Sequence, residues 1–164
     1  MMGFGVLSGV MVDAGAGDGL AEFVASVRPD LDRALVARFG LHDGMEAAAV
    51  AVDYASREWS RLAGMDNPAG YLYRVGQSSA RRFHARGRRL QPMVTAAVTI
   101  DHPVDVDLQR ALMRLRPDRR VAVVLVHAHG HTYANAAAVM GVTVTTVTNH
   151  VTRGLAQLRR LLGE

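Results

Sequence analysis

From Leu20 onward, apolar residues recur at intervals of three and four. Leu20, Phe23, Val24 and Val27 are followed by Leu31, Leu35, Val36 and Phe39, the spacing that lines one face of a helix. Pro29 falls inside this run, which predicts either a kink or a second helix with the proline in its first turn. Gly40 closes the run. A second, alanine-rich helix is predicted from about Gly44 to Leu62, with Val50, Tyr54 and Trp59 among its larger side chains. Residues 64–68 read as a turn in which Asn67 caps a third helix. That helix runs from Pro68 to Arg86, apolar at Tyr71, Leu72 and Val75 and strongly basic towards its end.

The periodicity then lapses. The stretch GRRLQPMVTAAVTIDHPVDVD, from Gly87 to Asp107, holds Pro92 and Pro103 and no sustained helical face, so it reads as a linker. Within it MVTAAVTI could form a short strand, but an unpaired strand is marginal. Helices resume at Val106 to Leu115, Pro117 to His129, Thr132 to Met140 and Val144 to Leu162. The predicted architecture is all-α, with two small helical modules. Their bounds are a flexible tail at 1–18, a first module at 19–89, a linker at 90–105 and a second module at 106–164.

The last two helices carry the most information. VTVTTVT, from Val142 to Thr148, alternates like a strand. Val144, Val147, Val151, Leu155, Leu158 and Leu162 nevertheless continue the helical period over five turns, and Thr143 is a good N-cap. A short helix with Ala134, Ala137, Ala138 and Val139 precedes it, with Gly141 in the turn between. Helix, glycine-containing turn and longer helix is the helix-turn-helix pattern. With Val147 and Val151 turned inward, Thr145, Thr146, Thr148, Asn149, Thr152 and Arg153 fall on or beside the outward face. There, hydroxyls, an amide and a guanidinium can reach base edges and phosphates. Arg159 and Arg160 lie further along the same helix.

Composition narrows the chemistry. The 164 residues are 49% hydrophobic but only 5% aromatic, which favours helix packed on helix. Cysteine is absent, so disulfides, thiolate metal sites and thiol nucleophiles are excluded. All 19 basic residues are arginine and the net charge is +4. A codon bias accounts for the choice of arginine, so the distribution matters more than the total. Arg74, Arg81, Arg82, Arg86, Arg88 and Arg89 crowd one segment that has no acid between Asp66 and Asp101. That is more basic charge than a helix C-terminus requires, and it points to nucleic acid. The apolar opening MMGFGVLSGVMV is too short to span a bilayer and lacks a basic leading segment, so no membrane partner is expected. His127, His129 and His131 alternate around Gly130. On a helix, residues two apart do not converge, and no carboxylate nearby in sequence completes a zinc set. They read as solvated residues capping a helix C-terminus. A small metal enzyme built on them is the least favoured alternative.

The run LRPDRRVAVVLVHAHGHTYANAAAVMGVTVTTVTNHVTRGLAQLRRLL, Leu115 to Leu162, resembles the fourth region of the extracytoplasmic-function sigma factors. Response-regulator DNA-binding domains share part of this pattern, but no acidic receiver module is visible in the chain. MDNPAGYLYRVGQSSARRFHARGRR, Met65 to Arg89, resembles the same family's second region. The resemblance implies a bacterial, cytoplasmic transcription initiation factor that binds core RNA polymerase and recognises −10 and −35 promoter elements, with no enzymatic activity and no cofactor or metal. It implies capture of −10 bases by Asp66, Asn67 and Tyr71, and docking on the polymerase β′ clamp through Val50, Asp53, Tyr54 and Arg57. An anti-sigma protein is the further partner it implies. Where the family's second helix carries an acidic, glutamine-containing docking face, this chain has Ala49, Val50, Ala51, Val52 and Asp53. That difference keeps open a diverged regulator that binds DNA or a protein without supporting initiation.

Overall fold

A computed structural model of the chain describes residues 14–86 and 106–163, and these are helical with short connections. The first module contains α1 (Ala14–Phe39), α2 (Leu41–Arg57), the single turn α3 (Trp59–Leu62) and α4 (Pro68–Arg86). The second contains α5 (Val106–Met113), α6 (Pro117–Val123), α7 (Tyr133–Met140) and α8 (Val144–Leu162). The linker, the possible strand MVTAAVTI, and Arg88 and Arg89 lie outside the described residues, as does the tail before Ala14. Ala14 to Asp18, expected in the tail, belong to α1.

Pro29 does not divide α1, which is a single helix. A proline deprives the carbonyl four residues earlier of its donor. Here Ala25 and Pro29 are both exposed, so that carbonyl faces water. The expected second helix starts three residues earlier, at Leu41, and breaks at Glu58 before the turn α3. Trp59 is a packing residue, its ring 5.2 Å from that of Phe23 between centroids. The helix expected over Pro117 to His129 ends in a wider π-helical turn, Val124–Ala128, and His129 donates its backbone N–H to Val124 O.

The two modules pack on one another. A single apolar cluster runs from Leu31, Leu35, Ala47 and Leu72 to Val121, Leu125, Val147 and Val151, all nearly or fully removed from water. Polar contacts stitch the same seam. Arg120, 7% exposed, donates to Ala37 O at 2.6 Å and Arg38 O at 2.8 Å, two carbonyls at the C-terminal end of α1. Within its own module it reaches Met113 O and Leu115 O, both at 3.3 Å. A buried guanidinium is thus held by peptide dipoles rather than a carboxylate. Burial and the neighbouring Arg38 cation push Arg120 below its ordinary pKa. Arg38 itself pairs with Asp118 of α6.

Candidate nucleic-acid interface

The helix-turn-helix forms as its sequence predicts, and each of its boundaries has a visible cause. Thr132 caps α7 by accepting from Asn135 N at 3.0 Å. Gly141 ends α7 with φ 66, the left-handed conformation that glycine adopts without strain. Thr143 caps α8 by accepting from Thr146 N at 3.2 Å. Val147 and Val151 are buried, which turns Thr145, Thr148, Asn149, Thr152 and Arg153 outward, all exposed. These five share one stripe of α8. Two of the expected threonines have local bonds. The Thr146 hydroxyl is 2.8 Å from that of Thr143 in the cap, and Thr148 donates to Val144 O at 2.9 Å, leaving its oxygen free only to accept. Arg159 and Arg160 are exposed further along.

On the first module, Arg74, Arg81 and Arg82 are exposed on α4, and Arg86 is its last residue. Asp66 is exposed and Asn67 is half-buried. Asn67 caps α4, its Oδ1 accepting from Gly70 N at 3.0 Å. Its other end is also engaged: Nδ2 donates to Ala138 O of α7 at 2.8 Å. Arg74 donates to Gly141 O at 2.9 Å. Of the expected base-capture residues Asn67 therefore touches the helix-turn-helix of the other module, whereas Asp66 is exposed.

Tyr71 stands beside Tyr54, their rings 6.0 Å apart and hydroxyls 3.3 Å apart. Arg61 lies 5.7 Å from the Tyr71 ring centroid, within range of a cation–π contact. The hydrogen bond to Tyr71, followed by burial, holds the Tyr54 hydroxyl above the usual phenol range. Tyr54, expected on the polymerase face, thus sits against Tyr71. Arg61 was not singled out in the sequence, where nothing in WSRLAG marks it. Of the other docking positions, Asp53 and Arg57 form an exposed ion pair at 2.8 Å and Val50 is half-buried. Leu41, Met45 and Ala49 are exposed on the same helix.

The three histidines do not behave alike. His127 is exposed. His129 is pushed below the usual imidazole range by burial and then by Arg33 and His131. His131 departs from the solvated cap expected of it. Its side chain is 8% exposed, with Nδ1 3.1 Å from Leu125 O and Nε2 2.8 Å from Asp30 of α1. The partner carboxylate comes from the other module, 101 residues away, which no local reading could supply. Among the described residues, the group whose spacing could hold a metal ion is His42, Asp43 and Glu46 at the start of α2, which includes none of these three.

The described residues thus join a helix-turn-helix with an open recognition stripe to a helical bundle whose last helix ends in an arginine. Residues 105–158 match the family described as Sigma-70, region 4. The chain is 33% identical over 101 residues to the ECF RNA polymerase sigma factor SigM of Mycobacterium tuberculosis, in two strains. That match covers 58% of this chain and 52% of the relative, so the chain spans about half the length of the curated relatives it matches. The fold is similar to that of the sigma factor RpoE from Bartonella quintana, solved in complex with the anti-sigma factor NepR. The TM-score is 0.60 at 22% identity, over 89% of this chain and 98% of that one. Residues 105–158 thus resemble region 4 of the sigma-70 proteins, and 101 residues of the chain are similar to an extracytoplasmic-function sigma factor. Among the described residues no helix is long and apolar enough to cross a membrane.

Proposed function

We propose that the protein is a specificity subunit of bacterial RNA polymerase, acting in the cytoplasm. In this reading α8 reads the upstream promoter element, and α4 with the turn before it engages the downstream element. Its mechanism is binding and strand capture, without bond chemistry of its own. The observation that carries the reading is the recognition stripe of α8, Thr145, Asn149, Thr152 and Arg153, exposed within the segment that matches sigma-70 region 4. Arg81, Arg82 and Arg86 supply phosphate contacts, and Asp66, Asn67 and Tyr71 the base contacts. Core polymerase docks along α2 through Val50, Asp53, Tyr54 and Arg57, and an anti-sigma protein is a further partner.

The two modules of this reading are residues 19–89 and 106–164, with 90–105 between them. The test is run-off transcription of fragmented genomic DNA by core polymerase with and without the protein. New, discrete start sites sharing two spaced elements are expected. A transcript pattern unchanged by the protein would overturn initiation. A second reading, a diverged regulator that does not initiate, is favoured by one feature: Leu41, Met45 and Ala49 form an exposed apolar row on α2 among its polar residues, where the resemblance leads one to expect a polar docking face. DNA binding without new start sites would select it.

A further inference from the structure

We infer that the opening turns of α8 select A·T over G·C pairs in the duplex they read. Asn149 pairs with one adenine, and Thr148 accepts from the exocyclic amine of another in a neighbouring pair. The inference rests on the functional reading above and deepens it, by naming the bases at the centre of the upstream element. In a helix-turn-helix the N-terminal residues of the second helix meet the base edges. In α8 these fall into two rows at intervals of four, Val144–Thr148–Thr152 and Thr145–Asn149–Arg153, each residue exposed.

The first row offers methyl groups and an acceptor. The single proton of the Thr148 hydroxyl is donated to Val144 O at 2.9 Å, so only its lone pairs face the groove, and they match an exocyclic amine. Val144, 48% exposed at the tip of the helix, brings methyls and no polar side-chain atom, and Thr152 adds another methyl. In the major groove the adenine amine and the thymine methyl belong to the same A·T pair, whereas a G·C pair has an amine but no methyl. The second row carries an amide. Asn149 holds an acceptor beside a donor, the complement of adenine N6 and N7. Guanine instead presents two adjacent acceptors, N7 and O6, which suit the paired donors of arginine. From Val144 to Thr152 α8 has no arginine, and Arg153 stands roughly 6 Å further along the axis than Asn149. His150 is half-buried, about 100° round the helix from Asn149 towards its covered side. A guanine contact is thus confined to the edge of the element, where Arg153 reaches.

The test is selection from a duplex library with a random window roughly one helical turn long. The full chain, carrying a purification tag, is mixed with the library in the presence and absence of core RNA polymerase, and duplexes recovered on the tag are sequenced. An A·T centre is expected, with adenine preferred about ten-fold at one position. Thr148→Val removes the acceptor and keeps the shape, whereas Thr148→Ser keeps the acceptor. The valine variant should lose about five-fold preference at a single adenine, with recovery of other duplexes unchanged, and the serine variant should retain that preference. A guanine at the centre, cytosine at the position that the valine variant relaxes, or identical profiles for the three proteins overturns the inference and leaves the functional reading standing. Recovery without base preference overturns it as well. If the tagged chain recovers no duplex, with or without core polymerase, the functional reading itself falls.

Discussion

The substitution Arg120→Met removes the guanidinium from the seam while keeping much of its length and volume, so little cavity is created. Ala37 O and Arg38 O belong to the last turn of α1, where carbonyls have no partner within the helix. Gly40 N is bonded to Val36 O, and Arg120 serves the next two at 2.6 and 2.8 Å. Hydrogen bonds from a charged donor contribute roughly 1.5–3 kcal/mol each. Against this stands the desolvation of a cation that is 7% exposed, which its replacement relieves. The two bonds at 3.3 Å add less. Because two carbonyls are left buried and orphaned, the loss outweighs the relief, and the expected destabilisation is about 2–4 kcal/mol. Arg120→Lys keeps the charge but not the fork of donors, and should lose about half as much. Guanidinium chloride unfolding followed by far-UV circular dichroism, extrapolated linearly to water, reads both. Unchanged or increased stability in Arg120→Met would refute the reasoning, since desolvation would then outweigh the carbonyl contacts.

Replacing Arg81, Arg82 and Arg86 by Ala should weaken DNA binding and flatten its salt dependence, by about 0.7–0.9 in log–log slope for each phosphate no longer neutralised. An unchanged slope in an anisotropy titration removes α4 from the interface. Asn149→Ala and Arg153→Ala should alter sequence preference in a bound-fragment selection more than overall affinity, and a uniform loss would make both residues phosphate contacts only. Thr143→Ala removes the acceptor that Thr146 N uses and should cost about 1 kcal/mol of thermal or chemical stability. A smaller change would mean that water replaces the cap.

What the sequence makes legible is what each helix decides locally. The period of α8, its threonine cap and the glycine turn before it are all short-range features, as is the proline that opens α4. Hydrophobic spacing reveals which face of a helix is covered but not which element covers it. The pairing of Asp30 with His131, the Arg120 contacts to α1 and the meeting of Gly70 with Gly141 therefore emerge only in three dimensions. The contact of Tyr54 with Tyr71 on another helix was hidden for the same reason. Pro29, expected to kink the segment or open a second helix, opens none for a different reason. Its local cost is real, but exposure of Ala25 and Pro29 lets water take the freed carbonyl, and packing keeps α1 whole.

That this chain is a polymerase specificity subunit is tested most directly by mixing the purified protein with core RNA polymerase and following both on a sizing column at moderate salt. The protein is expected to leave its own elution position and travel with the polymerase, showing that α2, with its exposed Leu41, Met45 and Ala49, docks on the enzyme. A folded protein that stays at its own position would contradict that role.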